Sequence, residues 1–293
     1  MDALLVMSVN GNVIGVANEI AAKMRAGGWR ESFGDPSGTG NHLIRATGRR
    51  LRIGVPFPFS MHAELVFYWL GALGLKTPGE LDVHTVPPPL MSDAIAANEI
   101  DAFCVGEPWG SITVENGAGE LILPGNAIWA FAPEKVLAAR RDWIEAHPTE
   151  TRALMRAVVG AARWLGDPAN RLMASEILSQ PALIDVPDEV IASALSGYLI
   201  TKPRALAHHA PRFLEFHASA ANFPWRSQAA WIASNIAARI GLDRAEAMET
   251  AMACYRSDLY RDNLADLGID MPGAAAKMEG ALSEPTAVAS AHG

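Results

Sequence analysis

His62, Gly106 and Lys135 are the residues of this chain whose types and surroundings suit the holding of a small anion. His62 stands at the second position of a helix that Ser60 can cap, directly after an apolar strand at Leu51 to Val55. The backbone N–H groups of a first helical turn and the positive end of the helix dipole favour a negative ligand there, and an imidazole adds a side-chain donor. Gly106 lies in the run Cys104-Val105-Gly106-Glu107-Pro108-Trp109. A strand that ends at glycine and restarts as a helix, with Pro108 suited to the first turn, leaves backbone donors open to an anion. Lys135 follows Pro133-Glu134 at the expected start of another helix, after an apolar strand. A cation at that end of a helix is disfavoured by roughly 0.3 to 1 kcal/mol, and functional sites are where such local rules are broken. One ammonium with several neutral donors balances a monovalent anion and replaces its lost water.

Each of these residues also has a plainer reading. His62 can be a first-turn histidine in water, and Lys135 a solvated lysine paired with Glu134 or Glu145. Glu107 has the type of a general base, yet no second carboxylate, nucleophile or metal ligand stands near it in sequence, so it reads as structural. Trp109 reads as a core or hinge residue. His208, His209 and His217 lack supporting Cys or carboxylate spacing and read as a surface cluster, not a metal site. The only cysteines, Cys104 and Cys254, are too few for a disulfide framework or a zinc site and read as buried apolar residues. The P-loop, dinucleotide, zinc-protease and nucleophile-elbow signatures are absent from the sequence, which therefore announces no cofactor.

The elements that must position these residues follow from periodicity. Leu4 to Val9 reads as a strand, Asn10-Gly11 as a turn, and Val13 to Met24 as a strand leading into a helix. Residues 27 to 41 are rich in Gly, Ser, Pro and Asp and read as a loop crossing between lobes. From 51 to 110 strand and helix alternate: Leu51 to Val55, a helix with Leu65, Val66, Trp69 and Leu70 on one face, Leu81 to Val86, a helix opened by Pro89 that buries Leu90, Met91, Ala94 and Ile95, then Ala102 to Val105. That alternation signals an α/β protein with a parallel sheet. Strands are expected at Leu121 to Leu123 and near Ile128 to Phe131, and helices from Pro148, over Asn170 to Ser179 and over Asp188 to Leu195. The long helix from Pro148 carries Leu154, Met155, Val158, Val159, Ala162 and Leu165 as a stripe. Residues 202 to 226 form a second irregular crossing, Ser227 to Ile240 is a helix ended by Gly241, and Asp243 with Glu246 caps the next. Beyond Asp262 periodicity fades and a loosely ordered tail is expected.

The 293 residues are half apolar, with 19% charged, enough for one large domain or two small ones. A net charge of -8 argues against a nucleic-acid partner, and Arg45, Arg49, Arg50 and Arg52 read as a solvated strand entry. No apolar run approaches the roughly 20 residues a bilayer requires. Met1 to Asn10 lacks the pattern of a signal peptide, so the chain as written is expected in the cytoplasm, or in the periplasm if an export signal has been lost.

The segments Asn10-Gly11-Asn12-Val13-Ile14, Pro58-Phe59-Ser60-Met61-His62, Val86-Pro87-Pro88-Pro89-Leu90-Met91, Cys104 to Trp109 and Pro133-Glu134-Lys135 resemble the nitrate- and bicarbonate-binding proteins of ABC transporters, the NrtA/CmpA family, and its cytoplasmic nitrate and nitrite sensor branch, NasS. The resemblance spans about residues 3 to 260. It implies a type II periplasmic-binding-protein-like fold, with two lobes closing on a ligand cleft: residues 1–50 and 204–293 as lobe one, and 51–203 as lobe two. It implies nitrate or nitrite as ligand, held by His62, Lys135, Gly106 and Asn12, where Asn12 replaces the expected glutamine and keeps the amide. Lys135 favours nitrate or nitrite over bicarbonate, because the bicarbonate branch carries an acidic residue there and uses a cation. The family begins with a βαβα region, bearing a ligand tryptophan, that this sequence lacks before Asn10, so lobe one is expected to be incomplete, with an exposed sheet edge. The implied partners are an ABC permease for an exported protein, or an RNA-binding antiterminator for a cytoplasmic sensor. The alternatives are a bicarbonate-binding protein, or an enzyme on the same fold similar to the pyrimidine-precursor synthases, for which Cys104 beside Gly106 is the only hint.

Overall fold

The computed structural model describes residues 1–48 and 50–279, so Arg49 of the expected arginine-rich strand entry and residues 280–293 of the expected tail lie outside the described residues. The chain divides into two compact units: Met1–Asn10, Ala130–Asn170 and the described residues from Glu215 onward form the first, and Gly11–Trp129 with Arg171–Leu214 the second. This division differs from boundaries at 50 and 203. Residues 11–50 join the second unit because their strand lies inside its sheet, and 130–170 join the first.

In chain order, β1 (Asp2–Val6) and a two-residue β2 (Val9–Asn10) precede β3 (Asn12–Ala17), α1 (Asn18–Ala26), α2 (Pro36–Thr47), β4 (Leu51–Val55), α3 (Met61–Ala72) and β5 (Leu81–Thr85). Then come α4 (Met91–Ala96), β6 (Ala102–Gly106), α5 (Trp109–Glu115), β7 (Gly119–Pro124), β8 (Val136–Ala139), α6 (Arg141–Ala146) and α7 (Pro148–Gly166). The remainder is α8 (Arg171–Leu178), α9 (Asp188–Ser196), β9 (Tyr198–Ile200), β10 (Ala207–His209), α10 (Arg226–Ile240), α11 (Arg244–Cys254) and α12 (Ser257–Leu264).

The second unit is built on a sheet of order β5-β4-β6-β3-β7. β4 is parallel to β5 and β6, as the alternation of strand and helix predicts, but β3 runs antiparallel to both β6 and β7, so the sheet is mixed. Val13, Phe103, Val105, Val114 and Leu121 form part of its buried core, against which Trp109 packs. The expected loop at 27–41 is replaced in its second half by α2. Asp35 accepts from the Gly38 N–H at 2.9 Å and Pro36 takes the first turn, a cap and start that outweigh the helix-weak composition. Gly40 serves packing: a Cβ there would stand 2.2 Å from Leu73 Cδ1. Leu90, expected on a buried face, is half exposed, because Pro88–Leu90 forms a separate 3-10 turn before α4.

In the first unit α7 and α12 share a core with the antiparallel pair β1 and β8, and α10 packs with α11. Met155, Val159, Phe223, Trp225, Tyr260 and Leu264 fill its core with Leu4 and Leu5, while Leu154 of the expected stripe faces outward. Asp243 accepts from the Glu246 N–H at 2.8 Å, as its sequence cap predicts. The strand expected near Ile128 to Phe131 is absent: Ile128, Trp129 and Phe131 are buried, but in turns. The expected loosening beyond Asp262 is not found over the described residues, since Lys277 bonds Glu279 and its ammonium stands 5.2 Å from the Phe131 ring centroid. Cys104 is buried, but Cys254 only half-buried.

Asp2 at the start of β1 is fully buried and accepts from Arg141 Nε and Nη2 at 3.0 and 2.9 Å and from Arg256 Nη1 at 3.0 Å. Chiefly the Arg141 hydrogen bonds hold its carboxyl below the usual range. A lowered folded value means that the stabilisation is present above the unfolded carboxylate value and lost as pH falls through the folded one. Asp2→Asn is expected to cost about 1 to 3 kcal/mol at pH 7, the worth of hydrogen bonds to charged groups. In urea titrations that difference should shrink below about pH 4, and a pH-independent difference would argue that the ion pairs are not its source.

Candidate functional site

Asn12, His62 and Gly106 converge in the second unit. Asn12 opens β3 directly opposite Gly106, the last residue of β6. A Cβ built on Gly106 would lie 3.5 Å from Asn12 Oδ1 and 3.8 Å from His62 Nε2, so a carboxamide, an imidazole and a bare backbone position share one small region. Asn12 and His62 are buried and Gly106 half-buried. Asn10 and Gly11, at φ 64° and 88°, turn the chain just ahead of Asn12, and only glycine enters the second of these freely. Gly11 is then held by its N–H to Phe213 O at 2.7 Å and by the Glu107 N–H to its own O at 2.9 Å.

His62 is where sequence put it. Ser60 takes an extended conformation, accepts from the Ala63 N–H at 3.4 Å and donates to Phe57 O at 2.6 Å, leaving His62 in the first turn of α3. That turn brings the positive end of a twelve-residue helix to the imidazole. It also contains Glu64, buried in the same turn. The loop before it presents Phe57 and Phe59, each more than half exposed, with ring centroids 5.9 Å apart.

The turn after Gly106 supplies fewer donors than its sequence suggests. The Glu107 N–H is used by Gly11, and Pro108 has none. Glu107 turns its carboxyl away from the seat: Oε2 accepts from the Ser111 N–H at 3.1 Å, while Oε1 is buried with no hydrogen-bond partner among the described residues. Oε1 lies 2.8 Å from where a Cβ on Gly110 would stand, beside Val13 and Leu121. Burial pushes this carboxyl up to about 7, against the opposing pull of its Ser111 hydrogen bond. Sequence reasoning took Glu107 as structural. The signal available was the pair of glycines around Glu107-Pro108-Trp109, which clear space for a side chain lying back on the helix.

Lys135 belongs to the first unit, and its surroundings differ from expectation. Residues 132–135 lead into β8, not a helix, so its charge is not opposed to a helix dipole. Backbone pairing of Met7 N–H to Lys135 O at 2.7 Å and Glu134 N–H to Ser8 O at 3.0 Å draws this stretch into extended form. Its side chain is exposed and its ammonium lies 3.1 Å from Glu134. The Glu134 side chain, by contrast, is 8% exposed.

The other candidates resolve into packing. His208 lies against Phe33, His209 stacks on Tyr198 at 4.5 Å, and His217 Nδ1 is 2.9 Å from Asn222 Oδ1. Among the described residues no group of three His, Cys, Asp or Glu side chains could hold a metal, and no helix is long and apolar enough to cross a membrane.

Comparison with known proteins gives this arrangement a context. A family model described as NMT1-like matches residues 1–179. The nitrate/nitrite binding protein NrtA of Synechococcus elongatus is 32% identical over 187 residues, covering 64% of this chain and 42% of that protein. The nitrate import ATP-binding protein NrtC of Synechocystis sp. is 31% identical over 185 residues, 63% of this chain and 28% of that one. The bicarbonate transport ATP-binding protein CmpC of Synechococcus elongatus is 31% identical over 197 residues, 67% and 28% of the two chains. The chain thus spans less than half the length of these relatives. The crystal structure of the periplasmic nitrate-binding protein NrtA from Synechocystis matches with a TM-score of 0.82 over 96% of this chain and 72% of that one, at 24% identity. The alkanesulfonate-binding protein SsuA from Xanthomonas axonopodis matches at 0.54 over 84% and 73%, at 17% identity. The fold is therefore the periplasmic-binding class that the sequence resemblance implied, and the resemblance to NrtA/CmpA proteins is borne out.

Two substitutions test this local geometry. Gly106→Ala meets only ordinary contact distances, so its stability should stay within about 1 kcal/mol of the parent; unfolding of the variant would contradict the open space drawn here. Glu107 has a folded value above its ordinary one near 4.5, so its ionisation costs the folded state as pH rises from there, fully so above about 7. Glu107→Gln should therefore stabilise the protein by up to about 3 kcal/mol at pH 8, and by less than about 1 at pH 5, read from urea midpoints at the two pH values.

Proposed function

We propose that this chain, which belongs to the NMT1-like family, binds a small monovalent oxyanion, nitrate or nitrite, and performs no catalysis. The observation that carries the reading is the convergence of the Asn12 carboxamide, the His62 imidazole and the bare Gly106 at the strand ends of one sheet, beside the first turn of α3. Amide and imidazole donors with a helix N-terminus replace the water an anion gives up, and glycine lets it come close to the backbone. Asn12 would turn its amide N–H toward the ligand, His62 would donate from the imidazole, and Gly106 would supply room. Lys135 is proposed as the balancing cation on the strength of the family resemblance, not of geometry.

Relatives of this chain are named for nitrate binding and nitrate import, which favours delivery to a nitrate ABC permease over sensing through an antiterminator. A bicarbonate ligand is the second reading, raised by the likeness to CmpC. By the family resemblance Lys135 speaks against it, since the bicarbonate branch carries an acidic residue at that position. The enzymatic alternative would use Cys104, which is fully buried within β6 and so closed to a substrate.

Calorimetric titration with nitrate, nitrite and bicarbonate tests the reading. Nitrate or nitrite is expected to bind, His62→Ala to weaken binding at least about tenfold, a loss of about 1.4 kcal/mol, and Lys135→Glu to abolish it. Bicarbonate binding in preference would transfer the chain to the second reading, and no heat from any anion with folded protein would remove both.

A further inference from the structure

Glu107 directly follows the seat, yet the anion-binding reading gives it no role. Its Oε1 is buried without a hydrogen-bond partner among the described residues, and its Oε2 has the Ser111 N–H at 3.1 Å. The Ser111 Oγ nearby is likewise buried and without a partner among the described residues. Val13, Gly110 and Leu121 make the rest of the surroundings apolar. Ionisation would put a charge on a carboxyl whose Oε1 has no hydrogen-bond partner among the described residues, whereas the protonated form carries no charge to desolvate.

The charged groups on the elements packed around it are almost all acidic. Glu115 stands on α5, the helix that follows Glu107, Asp93 on α4, Asp188 and Glu189 on α9, and Glu120 on β7, the last paired with Arg25. Arg204 lines a cavity of about 380 Å³ with Ser111, Glu115 and Glu189. On the seat side the titratable groups are His62 and Glu64. Glu107 is the chain neighbour of Gly106, their Cα atoms about 3.8 Å apart, and charges in a partly buried region are screened by salt less than exposed ones.

We propose that Glu107 is a proton-coupled member of the anion site: the oxyanion binds the form in which Glu107 is protonated, and binding draws a proton onto this carboxyl. The inference rests on the anion reading above. The coupling is reciprocal by linkage, so whatever ionised Glu107 takes from anion affinity, the bound anion adds to the proton affinity of Glu107. With burial already raising the carboxyl to about 7, the effect falls at neutral pH. No covalent step is involved; one proton comes from solvent and returns there on release.

The test is nitrate calorimetry at pH 7 in two buffers of different ionisation enthalpy, repeated at pH 6 and pH 8. Net proton uptake is expected with the parent protein, and a Kd that rises about tenfold from pH 6 to pH 8. Glu107→Gln should bind nitrate with that uptake gone and the pH dependence flattened. Uptake that persists in Glu107→Gln belongs to His62 and overturns the proposal, as does nitrate binding by the parent without uptake; both leave the anion reading standing. The absence of binding at every pH would instead remove the anion reading, and the coupling with it. An infrared difference spectrum of the parent on nitrate addition at pH 8 needs no variant. A gained protonated-carboxyl band supports Glu107, and a spectrum without one overturns it.

Discussion

The ring of Phe103 lying on Gly15 is the contact on which the second unit depends. The two residues face each other across β6 and β3, and a Cβ on Gly15 would stand 2.1 Å from the ring. Every residue of β3 up to Val16 is buried, so no polar face exists to fix its register by alternation. Shape fixes it instead: only a glycine can sit under that ring. A slip of one residue would put Ile14 or Val16 there, and would also move Asn12 and Val13 each to the other face of the sheet. The same contact that closes the core therefore puts a carboxamide opposite Gly106.

Buried carboxylates are treated in two ways in this protein. Asp2 is gripped by Arg141 and Arg256, Glu120 by Arg25 at 2.6 and 2.8 Å, and Asp101 by Arg52 at 2.7 Å. Arg141, Arg25 and Arg52 each offer donors in a fork that fits a carboxylate. Glu107 accepts from the Ser111 N–H beside apolar neighbours, and burial, acting against its Ser111 hydrogen bond, pushes it up. The difference assigns the first three to holding elements together and leaves Glu107 with a proton it can give up near neutrality.

Local signals read well where the residue and its cause are neighbours in sequence. Ser60, Asp243 with Glu246, and Gly241 each mark a helix end through a side chain or a φ angle acting within a few residues. Errors came where a partner distant in sequence decided. Gly40 of α2 looks like part of a loop until Leu73 and Trp69 are seen pressing on it. Ile128 to Phe131 is apolar like a strand, yet it is buried without one. Lys135 sits after Pro133-Glu134 like a helix start, but pairing with Met7 and Ser8 holds it extended.

The sequence by itself determined the strand and helix alternation from 51 to 110, the cap that puts His62 in a first turn, and a set of motifs specific enough to imply the fold. These rest on hydrogen bonds and periodicities that close within one or two turns. Only the tertiary structure decided that β3 inserts antiparallel between β6 and β7, that Asn12 and His62 meet over Gly106, and that the Glu107 Oε1 is buried with no hydrogen-bond partner among the described residues. Those outcomes depend on which distant backbone or ring fills the space beside a residue, and a one-dimensional pattern carries no record of that neighbour.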